Sequence, residues 1–126
     1  MPTTFSCLAI DDDSLFLRKL SVFVESIEWL DLVKTVNNPV QGAKAIFEVE
    51  PDILFLDMEM PHVDGNYLID WIGPRLAKMT KPPKIIIVSS LNFSDEEKQS
   101  SVAGYINKSQ VTSAENLSQL VKGIID

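Results

Sequence analysis

Short apolar runs alternate along the chain with longer segments that have the period of a helix. Compact apolar runs bounded by turn residues are typical of strands, whereas apolar residues that recur every three or four positions indicate amphipathic helices. Five runs predict strands, and they cover residues 5–10, 31–36, 52–56, 84–89 and 104–107. The fourth run is apolar at successive positions, as expected of a central parallel strand that is covered on both faces.

The segments between these runs carry helix start signals. Asp13 or Ser14 can cap the first helix, and Asn38 precedes Pro39, which suits the first helical position. A third helix is predicted from about residue 65 to 79, interrupted at Gly73-Pro74. Capping boxes predict two further starts, at Ser94 with Glu97 and at Thr112 with Glu115.

Apolar spacing also predicts which side of each helix faces the core. The predicted inward residues are Phe16, Leu20, Phe23, Val24 and Ile27 in the first helix, Val40, Ala43 and Phe47 in the second, and Leu117, Leu120, Val121 and Ile124 in the last. Strands that alternate with helices need crossover connections, and these produce parallel pairing. We therefore predict a doubly wound (βα)5 α/β fold, a three-layer sandwich around a five-stranded parallel sheet.

Length and composition fit one globular domain. The chain has 126 residues, of which 45% are hydrophobic, so we expect a single domain over residues 1–126. The formal net charge of −7 argues against a nucleic-acid surface, which needs a basic stripe. The single cysteine, Cys7, lies in an apolar run and is predicted to be a core residue. Neither a signal segment nor a spanning run is visible, so we expect a cytoplasmic protein without membrane contact.

Chemically capable side chains follow four of the five predicted strands. In a doubly wound sheet, ligands bind outside the carboxyl ends of the strands, where strand order reverses. The residues at that edge are Asp11, Asp12 and Asp13 after the first strand, Asp57 after the third, Ser89 and Ser90 after the fourth, and Lys108 after the fifth. Taken singly, such residues are often helix caps, strand-end hydroxyls or surface charges. Their joint placement predicts a site.

Several acids at one point repel each other unless a cation lies among them. A site with few carboxylate ligands and an open coordination sphere suits Mg²⁺. Mg²⁺ beside a lysine and a hydroxyl is suited to phosphoryl transfer. Asp57 ends a buried strand, where an unpaired carboxylate is costly, and it is the natural nucleophile for forming an aspartyl phosphate.

Four motifs in order resemble the response-regulator receiver domain of two-component signalling, over essentially the whole chain. They are "LAIDDD" with its acidic pair, "LFLDMEMPHVDG" at the phosphoacceptor strand, "IIIVSS" at the switch hydroxyl and "GYINK" at the last strand with its lysine. The resemblance implies a flavodoxin-like or receiver-like sheet with strand order 2-1-3-4-5. It also implies a signalling switch that is not a turnover enzyme.

The resemblance further implies a role for individual residues. Asp57 would take a phosphoryl group from the phosphohistidine of a histidine kinase or phosphotransfer protein. Mg²⁺ would be bound by Asp12, Asp57 and the backbone carbonyl of Glu59, with Asp11 helping through water. The residues that would respond to the phosphoryl group are Ser89 and Lys108, which would contact it, and Tyr105, which would turn inward. The face formed by the fourth helix, fifth strand and fifth helix would then control a partner or output domain.

Two features depart from the usual family pattern, and Glu59 carries a separate hypothesis. Ser109 follows the lysine where the family normally has proline, so a cis peptide, which costs about 3 kcal/mol without proline, is not expected. The stretch from Ser89 to Lys108 is about one helical turn shorter than usual, which predicts a stunted fourth helix. Glu59, two residues past the acceptor, is hypothesised to tune phosphoryl lifetime; the alternative is that it contributes only its carbonyl.

Three other functions are compatible with parts of the sequence. A pseudo-receiver would keep the fold as an interaction module and lose phosphorylation. A flavin or small-ligand module would need a Gly-rich or hydroxyl-rich phosphate loop where "DDDS" stands, and a phosphohydrolase would need a cap insertion. The chain could act as a stand-alone receiver, as a homodimer, or as the regulatory part of a larger regulator, such as one with a LytTR-type DNA-binding domain.

Overall fold

The computed structural model describes residues 4–57, 59, 73–94 and 101–126. Its five strands are β1 (Phe5–Ile10), β2 (Leu30–Val36), β3 (Ile53–Leu56), β4 (Lys84–Ser89) and β5 (Gly104–Asn107). The predicted strands are confirmed with small differences at two boundaries. β2 starts one residue earlier than predicted, and Asp52 precedes β3 instead of belonging to it.

The strands form one parallel sheet in the order β2-β1-β3-β4-β5, as predicted. The chain passes outward from β1 to β2 and then returns to β3, so the strand order reverses between β1 and β3. Ile10 is in register with Leu56 at that point. The residues that follow these two strands, Asp11 and Asp57, are therefore neighbours at the carboxyl edge of the sheet.

The helices pack on both faces of the sheet. They are α1 (Ser14–Glu25), α2 (Pro39–Val49) and the C-terminal helix (Ala114–Ile125). α1 and the C-terminal helix cover one face through a buried cluster that includes Phe16, Leu20 and Val121. α2 covers the other face, together with Leu76 from a helical segment at residues 73–76. The three-layer sandwich is confirmed, with β4 buried on both faces.

The predicted inward face of α2 is confirmed at Ala43 and wrong at Val40 and Phe47. Val40 is 74% exposed and Phe47 is 37% exposed, whereas Gly42, Ala45 and Ile46 are buried with Ala43. A Cβ atom at Gly42 would lie 2.7 Å from Cδ1 of Ile10. Small residues let this helix approach β1 closely, and the prediction gave too much weight to large side chains.

The capping box predicted at Thr112 is also wrong. Ser113 is the N-cap of the C-terminal helix, and its hydroxyl accepts a hydrogen bond from the backbone N–H of Asn116 at 3.0 Å. The N–H of Thr112 instead donates to the side chain of Asn116 at 3.4 Å. Both Thr and Ser favour the cap, and the helix starts one residue later than the acid spacing suggested.

Two predictions concern segments that are only partly described. The third helix, predicted to run to Met79, gives way after residue 76 to turn hydrogen bonds such as that from Met79 N to Leu76 O. Its start and the junction before Gly73 lie outside the described residues. The box of Ser94 with Glu97 and the length of the predicted fourth helix also fall there, because residues 95–100 are not described.

Candidate functional site

The strand ends bring three carboxylates together. The side chains of Asp11, Asp12 and Asp57 each offer an oxygen, and these oxygens all lie within 4.8 Å of one another. The backbone N–H of Asp57 donates to Ile10 O, and that of Asp11 donates to Val36 O. The sheet therefore holds the backbones of Asp11 and Asp57 side by side.

Burial makes this cluster unusual. Asp11 is 3% exposed and Asp57 is 2% exposed, while Asp12 lies open to solvent. Burial raises the pKa of Asp57 to about 7, and the neighbouring Asp11 carboxylate adds to the rise. A hydrogen bond from the backbone N–H of Glu59 at 3.0 Å and the charge of Lys108 act in the opposite direction. Without a further cation, Asp57 is therefore partly protonated near neutral pH.

Lys108 reaches this cluster from β5. Its Nζ atom lies 2.9 Å from Oδ2 of Asp11 and 3.9 Å from Oδ2 of Asp57, and its side chain is 16% exposed. Burial lowers the pKa of Lys108, but the hydrogen bond and charge of Asp11 outweigh that effect, so its pKa is raised. The ammonium is thus a permanent positive charge whose nearest partner is Asp11, not Asp57.

Asp13 has a structural task beside the cluster. Its carboxylate accepts hydrogen bonds from the N–H groups of Leu15 and Phe16, and it is the N-cap of α1. Its own N–H donates to Oδ1 of Asp11 at 2.9 Å. The sequence left Asp13 and Ser14 as alternative caps, and the structure selects Asp13.

The donor set fits a hard divalent cation. Among the described residues, Oδ2 of Asp11 is the buried side-chain atom that makes no hydrogen bond, although Lys108 lies close to it. A carboxylate has about four acceptor positions, so this cluster retains unused capacity for a cation. Carboxylate oxygens with one open side suit Mg²⁺. The implied magnesium therefore agrees with the residues present.

The hydroxyls after β4 point to different partners. Ser89 is fully buried, and its Oγ accepts a hydrogen bond from the backbone N–H of Leu91 at 3.1 Å. Ser90 is exposed, and its hydroxyl donates to Oε2 of Glu59 at 2.7 Å. This hydrogen bond connects the residue two positions after Asp57 with the end of β4.

Tyr105, the residue predicted to turn inward, is half-buried on β5. It pairs in register with Ile87 of β4, and its ring centroid lies 5.0 Å from that of Phe93. Phe93 belongs to the segment that follows Ser89. The structure therefore places Tyr105 beside the loop that follows β4.

The segment that carries Lys108 has an anchor that the sequence analysis missed. Lys108–Gln110 is a short 3-10 helix, and the side chain of Asn107 accepts hydrogen bonds from the N–H of Ser109 at 2.9 Å and from its hydroxyl at 2.7 Å. The side chain of Gln110 accepts from the N–H of Asn107. Asn followed three residues later by Gln is a capping-box signal, and it could have been found. All peptide bonds in the described part of the chain are trans, including the one before Ser109.

The fold and the site together define a class of protein: a doubly wound α/β domain with a lysine-containing acidic centre at its strand-order reversal. The family model of the response regulator receiver domain matches residues 7–122. The chain belongs to that family. Receiver domains are the phosphoacceptor domains of two-component signalling, and the predicted class is thereby confirmed.

Curated relatives match this chain over only part of their length. The transcriptional regulatory protein BtsR of Escherichia coli K12 is 33% identical over 67 residues, which are 53% of this chain and 28% of that protein. A protein-glutamate methylesterase/protein-glutamine glutaminase of Hahella chejuensis is 30% identical over 71% of this chain and 22% of its own length. The chain thus spans about a quarter of the curated relatives that it matches.

Solved receiver domains have the same fold. The receiver domain of the putative response regulator NarL from Mycobacterium tuberculosis has a TM-score of 0.78 at 17% identity, over 97% of this chain and 96% of that one. The response regulator domain of Thermotoga maritima CheB has a TM-score of 0.76 at 22% identity, over 96% of both chains. Among the helices that the structure describes, none is long and apolar enough to cross a membrane.

Proposed function

We propose that this chain is a phosphorylation switch in which Asp57 accepts a phosphoryl group from a histidine kinase or phosphotransfer protein in a Mg²⁺-dependent reaction. The observation that carries the proposal is the burial of Asp57 at the end of β3, beside two other carboxylates and Lys108. The sheet holds this carboxylate in a fixed position, and burial destabilises its charged form, so both features favour its reaction. A solvent-exposed aspartate would have neither the fixed position nor the destabilised charge.

Each step uses residues at the carboxyl edge of the sheet. An oxygen of ionised Asp57 attacks the phosphorus, a P–O bond forms, and the P–N bond to the donor histidine breaks with its electron pair staying on the imidazole nitrogen. Lys108 offers hydrogen bonds to the transferred phosphoryl oxygens as their charge develops. The position of this ammonium, 2.9 Å from Oδ2 of Asp11 and 3.9 Å from Oδ2 of Asp57, supports that role.

The metal would be held by Asp12, Asp57 and the backbone carbonyl of Glu59, with Asp11 beside it. When bound, Mg²⁺ would neutralise charge on the phosphoryl oxygens and favour the ionised form of Asp57. The raised pKa of Asp57 supports the need for such a cation, because only the carboxylate attacks. The unused acceptor capacity of Asp11 supports the assignment of the site.

Phosphorylation adds a charge of about −2 to a site that is already acidic. The hydroxyl of Ser89 would exchange its hydrogen bond with Leu91 for one to the phosphoryl group, which moves the β4 loop. Because Phe93 in this loop contacts Tyr105, the movement would reach β5 and shift the face of the fourth helix, β5 and the C-terminal helix. That face would then control a downstream protein, a second copy of the chain or an output domain.

Glu59 would set the lifetime of the phosphoryl group. Its carboxylate accepts a hydrogen bond from Ser90, and in that position it would border the approach of water to the acyl phosphate. The chain would catalyse its own phosphorylation and dephosphorylation without turnover on a substrate. A slower or faster loss of phosphate in Glu59→Ala is expected, and an unchanged rate would reject this role.

The central test is phosphorylation by a small phosphodonor in the presence of Mg²⁺, followed at once by intact-mass measurement. Wild type should gain one phosphoryl group, and Asp57→Asn should gain none. Asp52→Asn is the matched control, because it makes the same isosteric change at the opposite end of β3. It should gain the group as wild type does.

A failure of wild type to gain mass would support the pseudo-receiver alternative. The measurement must be rapid because acyl phosphates hydrolyse, so binding of beryllium trifluoride, a stable phosphoryl mimic, provides a second readout. Loss of binding in Asp57→Asn together with retention in Asp52→Asn would establish the site. Equal behaviour of both variants would place the phosphoryl group elsewhere.

A further inference from the structure

We propose that Asn107 is a positioning residue that fixes Lys108 for its contact with the phosphoryl group, in place of the proline that this chain lacks after its lysine. The inference deepens the proposed function and rests on it. It assigns a task to a side chain that touches neither the acids nor the transferred group.

Lys108 needs an external anchor because lysine has a flexible four-carbon stem. Its tip is held by Asp11 and lies 4.9 Å from the centroid of the Phe16 ring. Those contacts bind the tip in the resting state. A phosphoryl group on Asp57 gives the ammonium a second anionic partner, and the position of the Lys108 backbone sets how far the side chain can reach toward it.

Asn107 supplies that backbone anchor in two directions. Its Oδ1 accepts from both the N–H and the hydroxyl of Ser109, so the turn that carries Lys108 is capped from the strand. Its Nδ2 donates to Oδ1 of Asn92 at 2.8 Å and points to the carbonyl of Ser90 at 3.5 Å. The lysine segment is thereby tied to the loop that follows Ser89.

The orientation of the Asn107 amide follows from its partners. The N–H of Ser109 can only donate, so the atom that faces it must be Oδ1, and the carbonyl of Ser90 can only accept, so the atom that faces it must be Nδ2. Asn92 then presents its own oxygen. A proline at position 109 would have no N–H, so this cap needs a residue such as serine there.

The same hydrogen bonds reach Glu59. Ser90 connects Asn107 with Glu59. Its carbonyl faces the Asn107 side chain, and its hydroxyl donates to the carboxylate of Glu59. Hydrogen bonds thus connect the last residue of β5 with the segments that follow β4 and β3. Asn107 is the member of this network that adjoins the lysine.

The test compares two affinities in the full chain, for Mg²⁺ alone and for beryllium trifluoride at saturating Mg²⁺, with the latter followed by fluorine NMR. Asn107→Ala should weaken beryllium trifluoride binding about tenfold, the size expected when a charge-assisted hydrogen bond is lost in part. Its Mg²⁺ affinity should stay within about twofold of wild type, because the proposed metal ligands follow β1 and β3 and Asn107 hydrogen-bonds to none of them. Asn107→Ser, which keeps an oxygen able to cap, should recover most of the loss.

Asn38→Ala is the matched control. Asn38 is the N-cap of α2 and accepts hydrogen bonds from Val40 and Gln41, so its removal also costs one helix cap, without touching Lys108. It should leave both affinities unchanged. A similar loss of beryllium trifluoride binding in Asn38→Ala, equal binding by Asn107→Ala and wild type, or a parallel loss of Mg²⁺ affinity in Asn107→Ala would each overturn the inference.

A second readout does not depend on phosphorylation. The rate at which an amine-reactive reagent acylates Lys108 in the metal-free protein, mapped by peptide mass, should rise in Asn107→Ala and not in Asn38→Ala. If wild type binds no beryllium trifluoride, the proposed function fails, but the acylation rate still tests whether Asn107 positions Lys108. If wild type binds it and the acylation rates are equal, the anchor fails and the proposed function stands.

Discussion

The two ends of β3 each carry an aspartate, and the two side chains have opposite environments. Asp52 precedes the strand and accepts hydrogen bonds from the N–H and the hydroxyl of Ser6, and Nζ of Lys81 lies 2.9 Å from its Oδ1. Burial tends to raise the pKa of Asp52, but Lys81 and Ser6 outweigh it, so the pKa of this carboxyl is lowered.

Asp57 follows the strand, and the groups that favour its charged form do not outweigh its burial. It is almost fully buried, it accepts one hydrogen bond from the N–H of Glu59, and it faces the Asp11 carboxylate. Its pKa is raised to about 7. The difference teaches that an acid surrounded by donors stabilises a fold, whereas an acid short of donors leaves free energy that a cation or a phosphoryl group can recover.

Removing the charge of Asp57 is expected to have the largest effect. In EDTA at pH 8, Asp57→Asn should raise the free energy of unfolding by on the order of 2–4 kcal/mol, because the buried charge disappears. The folded pKa of about 7 lies above the unfolded value of about 3.9. The stability linked to the protonated acid is therefore complete below about pH 4 and lost as pH rises through 7. Urea unfolding from pH 4 to pH 8 should show the gain growing with pH, and a constant gain would contradict it.

The opposite sign is expected at the other end of the strand. Asp52→Ala should lower the free energy of unfolding by about 1–3 kcal/mol, since it leaves the N–H of Ser6 without its acceptor. Urea unfolding at pH 7 measures the change. Lys81→Ala is the control for the ion pair alone, and because Lys81 is highly exposed its effect should be small. A stabilised Asp52→Ala would remove the contrast between the two ends.

A smaller difference is expected between the Asp52 and Asp57 variants in the stability that they gain from Mg²⁺. At ten times its dissociation constant, Mg²⁺ should stabilise wild type by about 1.4 kcal/mol through mass action. Asp52→Asn should show the same increase in thermal denaturation, because its carboxylate is not in the cluster. Asp57→Asn should show little or none, and an equal increase in both variants would place the metal away from Asp57.

The smallest expected effect is a difference in stability at acid pH between wild type and Asp52→Asn. Because the folded pKa of Asp52 is lowered, its contribution to stability is present above the unfolded value of about 3.9 and is lost as pH falls through the folded value. Wild type should therefore lose stability between pH 4 and pH 3 more steeply than Asp52→Asn. Parallel curves in that window would show that Ser6 and Lys81 do not favour the charged form.

Much of the fold could be predicted because it depends on local pattern. The apolar runs located all five strands to within a residue, and Asn38 with Pro39 marked the start of α2 correctly. The inward face of α2 could not be read in this way. Gly42 and the alanines face the sheet because the gap beside Ile10 is narrow, and the width of a gap depends on two elements at once.

The candidate site could be predicted in composition and not in detail. The strand ends gave Asp11, Asp12, Asp57 and Lys108, because parallel strands bring their carboxyl ends to one edge. That Lys108 contacts Asp11 more closely than Asp57, and that Ser90 holds Glu59, follows from contacts between distant parts of the chain.

The sequence by itself determined which residue ends each strand, because hydrophobic period and turn chemistry act over a few positions. It therefore determined that an aspartate would stand at the end of the third strand. Only the tertiary structure decided that the charged form of Asp52 is stabilised by its neighbours whereas that of Asp57 is destabilised by burial. It also decided that Asn107 caps the turn that carries Lys108 and donates a hydrogen bond to Asn92. The energy of a buried carboxylate depends on every donor and charge within a few ångströms, and most of these come from other strands.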